Sequence, residues 1–130
     1  MKGRLLLVGR SERGFVADGV THYIQRLERG LKVDTLVLAE AGKGEAAYQR
    51  KIESERILAA VKPVEKVVVL DERGKTLTSP QFAAQLGSWR DQGVRDVVFV
   101  IGGAYGMTEE VRERADQKIC LATELLPPRS

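Results

Sequence analysis

The run Gly102-Gly103-Ala104-Tyr105-Gly106 is where residue type and spacing come nearest to a binding chemistry. It follows a solidly apolar segment and precedes Thr108, Glu109 and Glu110, which carry the marks of a helix start. Glycines at such a junction let a ligand approach the main chain where a side chain would collide. They suit a tight strand-to-helix turn equally well, and both readings stand. The spacing is neither that of a dinucleotide fingerprint nor that of a P-loop, so it does not by itself imply a phosphate.

Other candidates carry a bland reading beside the chemical one. Asp71 and Glu72 could form an acid–base pair, but Arg73 and Lys75 follow at once, and a charge-balanced turn fits as well. The single histidine, His22, sits between Thr21 and Tyr23 in a helical stretch, which suits a surface or packing role. The single cysteine, Cys120, reads as a small core residue, with no basic neighbour in sequence to activate a thiolate. Arg10, Arg13, Arg26, Arg29 and Lys32 surround one helix, and Lys43, Arg50, Lys51 and Arg56 another. They could track a phosphate backbone, yet Glu12, Asp18, Glu28, Glu53 and Glu55 interleave as on a solvated surface. Tyr48 and Trp89 fall inside helices, where packing is expected. No catalytic side chain stands out, and one Cys with one His leaves no Cys- or His-rich metal site.

These residues need a scaffold, and the pattern supplies one. Residues 4–8, Arg4 followed by an unbroken apolar run closed by Gly9, have the form of a strand buried on both faces. Val16, Val20, Tyr23, Ile24 and Leu27 make one helical stripe that Gly30 ends. Residues 33–38 read as a second strand. Gly42 and Gly44 mark a loop, and a charged helix spans about 45–61, stopped by Pro63. Residues 66–70 form a third strand closed by a polar turn over 71–75. Ser79 is a good N-cap with Pro80 at the first helical position, and that helix runs to about Gln92 before Gly93. Residues 96–101 are the fourth and most apolar strand, and 119–121 a short fifth. Apolar strands alternating with helices predict an α/β fold, a parallel sheet of about five strands with helices on both faces. Ligands in such sheets bind beyond the carboxyl ends of the strands, which places candidate sites after Leu70 and after Ile101.

Composition agrees. The chain has 130 residues, the size of one domain, and is 43% hydrophobic, enough for a core. Lys and Arg number 21 against 18 Asp and Glu, a net charge of +3, which tolerates a nucleic-acid partner without announcing one. No run of roughly 18 apolar residues could span a membrane. The lone cysteine suits a reducing compartment, and a cytoplasmic location is expected.

The order of the motifs resembles the RlmH family of SPOUT methyltransferases, which methylate a pseudouridine at N3 in 23S rRNA. The resemblance rests on Leu-Leu-Leu-Val-Gly at 5–9, Val-Val-Val-Leu-Asp-Glu-Arg-Gly-Lys at 67–75, Ser79 with Phe82-Ala83, and Val-Phe-Val-Ile-Gly-Gly-Ala-Tyr-Gly at 98–106. It implies an S-adenosylmethionine pocket bordered by Leu70, Gly102 and Gly103. Leu121, Ala122, Thr123, Glu124, Leu125 and Leu126 would wrap the adenine and methionine. It also implies a large-subunit rRNA or ribosome partner, and a homodimer.

Family members continue with a Leu-Ser-x-x-Thr-Phe-x-His-Gln-like stretch, a long helix that threads a trefoil knot, and a Tyr-His end. Here Leu-Ala-Thr-Glu-Leu-Leu-Pro-Pro occupies 121–128, with Ser130 last. The resulting expectation is one SPOUT-like domain over 1–126 with a short tail over 127–130, and a sheet without the knot. Glu124 would put a carboxylate where the family has an uncharged residue, weakening or abolishing cofactor binding. Val98, Val100, Ile119 and Leu121 would be left bare and favour self-association. Two readings follow: a SPOUT rRNA methyltransferase with impaired activity, or a truncated or engineered unknotted scaffold without catalysis.

Overall fold

The computed structural model describes residues 1–9, 13–76, 78–103 and 105–120. In chain order the elements are β1 (Lys2–Val8), α1 (Arg13–Leu27), β2 (Lys32–Leu38), α2 (Ala46–Ala60), β3 (Lys66–Thr76), α3 (Ser79–Asp91), β4 (Asp96–Ile101), α4 (Glu109–Arg114) and β5 (Gln117–Cys120). All five strands pair in parallel, in the order β2-β1-β4-β3-β5. Parallel neighbours cannot be joined by hairpins, so a helix crosses over between each strand and the next.

Successive side chains of a strand point to opposite faces, and the inner strands are apolar at every position, so the sheet carries two cores. Leu5, Leu7, Phe99 and Ile101 pack with Val20 and Ile24 of α1 and with Phe82, Leu86 and Trp89 of α3. Leu6, Val8, Val98 and Val100 pack with Ile57 of α2, Met107, and Val111 of α4. The α/β architecture with helices on both faces is therefore the one the sequence pattern predicts. β2 is an edge strand, and its Asp34, Thr35 and Leu36 are exposed.

Four local expectations need correction. Thr78, not Ser79, caps α3. Its hydroxyl accepts the Gln81 N–H at 3.2 Å, and the Gln81 side-chain oxygen accepts the Thr78 N–H at 2.9 Å. This reciprocal pair is the Thr-x-x-Gln capping box, which a Ser79 cap would forgo. The segment after Leu70 does not end β3. Ile119 stands opposite both Leu70 and Lys75, so residues 71–74 form an excursion between two paired stretches of one strand. The fifth strand begins at Gln117, two residues early, and Leu121 lies outside the described residues. Finally, Val98, Val100 and Ile119 are not bare. The first two lie beneath α2 and α4, and Ile119 joins Leu70 and Phe99 in the other core. The helices of this chain cover the sheet face that the expectation had left open.

Candidate functional site at the carboxyl edge of the sheet

Leu7 and Leu70 both stand opposite Ile101 in the parallel register, so the ends of β1 and β4 and the first paired stretch of β3 lie side by side. From β1 the chain turns toward β2 on one flank, and from β4 it leaves toward β5 on the other. Diverging exits open a crevice beyond the strand ends, the place where such sheets bind ligands. Leu70, Gly102 and Gly103 are all buried there. The structure thus gathers three of the residues singled out from sequence. Leu121, Ala122, Thr123, Glu124, Leu125 and Leu126 lie outside the described residues, as does Ala104.

The glycines are needed by internal neighbours. A Cβ on Gly102 would stand 2.6 Å from Met107 Cγ, and one on Gly103 would run into the Glu53 carboxylate and approach Val8 Cγ1 at 3.3 Å. Met107 and Glu53 occupy the sides on which side chains would grow, so the tight-turn reading accounts for both glycines. Their main chain follows Ile101 at the carboxyl end of β4, which lies between β1 and β3.

α2 fastens this loop with three side chains. Arg50 Nε donates to the Tyr105 carbonyl at 2.8 Å, and Ser54 Oγ accepts the Thr108 N–H at 3.0 Å. Glu53 lies against Gly103, and its Oε2 accepts the Ala41 N–H at 3.1 Å. Positions 50, 53 and 54 fall on one helix face, as i, i+3 and i+4 must. Ser54 also answers for a helix start: Thr108 precedes α4 but makes no side-chain cap. Tyr105 is 45% exposed and, with Arg50, Thr108 and Arg112, lines a cleft of about 390 Å³.

Glu53 is the residue that sequence reasoning passed over. It counted only as one of several interleaved acids, yet it is 3% exposed, and its Oε1 is buried without a hydrogen-bond partner. The signal was its position one helical turn before Ile57, where an apolar residue would belong. A buried carboxylate oxygen without a partner is costly, and a cationic ligand at the crevice would offset that cost.

The remaining candidates stand apart. His22 is exposed on α1, Cys120 is half-buried at the end of β5, and Trp89 is buried in the core. Tyr48 is 56% exposed, against the packing expected of it; its ring lies over Gly44, with Cδ1 2.8 Å from where a Cβ would be. The excursion carrying Asp71 and Glu72 belongs to β3, and the reading of their side chains as an acid–base pair lies outside the described residues. Among the described residues, no three His, Cys, Asp or Glu gather as a metal site, and no helix is long and apolar enough to cross a membrane.

At the opposite edge of the sheet, Arg4 Nε and a terminal nitrogen donate to Glu65 at 2.9 and 2.6 Å, and the Lys62 N–H donates to it at 2.7 Å. Burial works to raise the Glu65 pKa, but Arg4 and the Lys62 N–H outweigh it and hold the carboxyl below its ordinary value. This pair ties β1 to the entry of β3 and lies remote from the crevice.

A parallel five-stranded sheet with its glycine loop at the carboxyl edge defines an α/β protein, a class whose sheets bind ligands beyond the carboxyl ends of their strands. A family model described as predicted SPOUT methyltransferase matches residues 1–128, and the chain belongs to that family. Three of the similar proteins, each named ribosomal RNA large subunit methyltransferase H, show the extent of the likeness. That of Citrifermentans bemidjiense is 39% identical over 122 residues, covering 94% of this chain and 79% of the relative. That of Cereibacter sphaeroides is 43% identical over 132 residues, covering 98% and 83%. That of Rhodospirillum centenum is 47% identical over 113 residues, covering 86% and 72%.

Proposed function

We propose that this chain takes S-adenosylmethionine at the carboxyl edge of β3 and β4 and directs its methyl group to large-subunit rRNA, at N3 of a pseudouridine. The observation that carries the reading is the placing of Leu70 beside the strand end that Gly102 and Gly103 follow, in a chain about 40% identical to proteins named as large-subunit ribosomal RNA methyltransferases. The buried, unpartnered Glu53 oxygen beside Gly103 fits a cationic cofactor. When bound, the cofactor supplies an electrophilic methyl group. The protein's part is then to hold donor and target nitrogen in line and keep water out, so positioning dominates over acid–base groups. Arg50 and Ser54 serve this by fixing the loop from Gly103 to Thr108.

The finer reading concerns the stretch from Leu121 to Leu126. Its sequence departs from the family's Leu-Ser-x-x-Thr-Phe pattern, and Glu124 adds a carboxylate, so cofactor affinity is lower than in a relative carrying that pattern. The reading includes a homodimer acting on the ribosome in the cytoplasm.

Methyl transfer from radiolabelled S-adenosylmethionine to large subunits lacking this modification tests the activity, with calorimetry for the cofactor. Label in a single 23S pseudouridine supports the methyltransferase. Cofactor binding without label, or neither, favours the second reading of a catalytically silent SPOUT scaffold, to which the altered 121–126 stretch lends support.

A further inference from the structure

Glu53 combines three properties that packing alone does not call for. It is buried, its Oε1 has no hydrogen-bond partner, and its carboxylate lies directly against the main chain of Gly103 in the loop at the crevice. Among the described residues no Lys, Arg or His forms an ion pair with it; its sole hydrogen bond is the one Oε2 accepts from the Ala41 N–H. By contrast, the other deeply buried acid with a role in the fold, Glu65, is fully engaged by Arg4 and Lys62. A buried charge left without a counter-charge destabilises the folded chain, whereas a buried pair that is hydrogen-bonded largely offsets its desolvation.

We propose that Glu53 is the counter-charge for a positively charged ligand group held over the Gly102–Gly103 main chain, and that it thereby makes the site prefer a methylsulfonium to a neutral thioether. The inference rests on the reading of the chain as an S-adenosylmethionine enzyme and deepens it. The methyl donor carries a positive charge at sulfur, and the product of transfer, S-adenosylhomocysteine, does not. With no side chain at Gly103, the carboxylate lies directly against the main chain there, and a ligand group held over that main chain feels its field with little screening from water. Donor is then held more tightly than product, which favours product exchange after each transfer.

The test is calorimetry on the full 130-residue chain and its Glu53→Gln variant. Gln keeps the volume and an acceptor for the Ala41 N–H but removes the charge. Three probes are used: S-adenosylmethionine, S-adenosylhomocysteine, and an analogue with an ammonium group in place of the methylsulfonium. The expected result is a loss of about tenfold for both cationic probes, the scale of a charge–charge attraction across several ångströms of protein. The neutral probe should stay within about twofold, because only the charge at sulfur is read. Equal loss for all three, or no change in any, overturns the proposal. If the unaltered chain binds none of the probes, the S-adenosylmethionine reading fails, and Glu53 is judged on ligand-free thermal unfolding. A Glu53→Gln variant that melts higher than the parent shows a charge kept at a cost to the fold and supports a ligand counter-charge. A variant that melts at the same temperature or lower shows a structural acid and overturns it.

Discussion

The hydroxyl of Ser54, on the buried face of α2, accepts the backbone N–H of Thr108 at 3.0 Å, 54 residues along the chain. This bond fixes the far end of the glycine loop, as Glu53 meets its beginning at Gly103 and Arg50 holds Tyr105 between them. One helix face, rather than the loop's own sequence, sets the shape of the main chain at the crevice.

Replacing Ser54 with Ala leaves the Thr108 N–H without its acceptor. The expected loss is about 1–2 kcal/mol in chemical denaturation, the usual size for a stranded backbone donor. Faster amide exchange at Thr108 than in the parent would locate the effect, and unchanged exchange there would show that the bond is dispensable.

Gly103 and Glu53 compete for the same space. Gly103→Ala should destabilise the chain by about 1–3 kcal/mol, the range for overpacking a filled interior. A smaller residue at position 53 should relieve the clash, so Gly103→Ala combined with Glu53→Ala should cost less than the sum of the two. The coupling in a double-mutant cycle is expected to exceed about 0.5 kcal/mol. Simple additivity would mean that the two residues do not share the site.

At the start of α3 the two candidate caps separate cleanly by experiment. Thr78→Ala removes the acceptor for the Gln81 N–H and should cost about 1 kcal/mol, typical for a capping residue. Gln81→Ala should cost a comparable amount less than additively with it, because the two bonds form one box. A Thr78→Ala variant as stable as the parent would return the cap to Ser79.

The strands and most helices were legible because uninterrupted apolar runs and a helical stripe admit few other structures. Leu5 to Val8 and Val97 to Ile101 are buried at every position, as their composition requires. The neighbourhood of the two strand ends was legible too, since parallel pairing sets Leu70 opposite Ile101, the residue before Gly102. What escaped was long-range and polar. No local rule predicts that Ser54 caps a loop half a chain away, or that Glu53 replaces an apolar residue on the buried face of α2. The continuation of β3 past Leu70 was hidden because residues 71–74 look like a turn, and only pairing with β5 carries the strand on to Thr76. The Ser79 cap was missed through reading one residue rather than the four-residue pattern from Thr78 to Gln81.

The pair at the opposite edge makes a pH-dependent prediction. The Glu65 carboxyl is held below its ordinary value, so its contribution to stability is present above that value and is lost as pH falls through the lowered one. Arg4 is shifted the other way, upward, chiefly by its hydrogen bond to Glu65, and stays charged throughout this range. At neutral pH, Arg4→Met should be strongly destabilising, by about 3–5 kcal/mol, because it leaves a buried carboxylate without its partner. The difference between parent and variant should be full only while Glu65 is ionised in both proteins. Burial without Arg4 raises the carboxyl in the variant, so the difference starts to shrink above the ordinary glutamate value of about 4.3 and goes on shrinking as the pH falls through the lowered value of the parent. Denaturant melts at a series of pH values measure it. A difference that stays constant down to pH 3 would mean that Arg4 stabilises the sheet through packing along its aliphatic stem, not through the charge of Glu65.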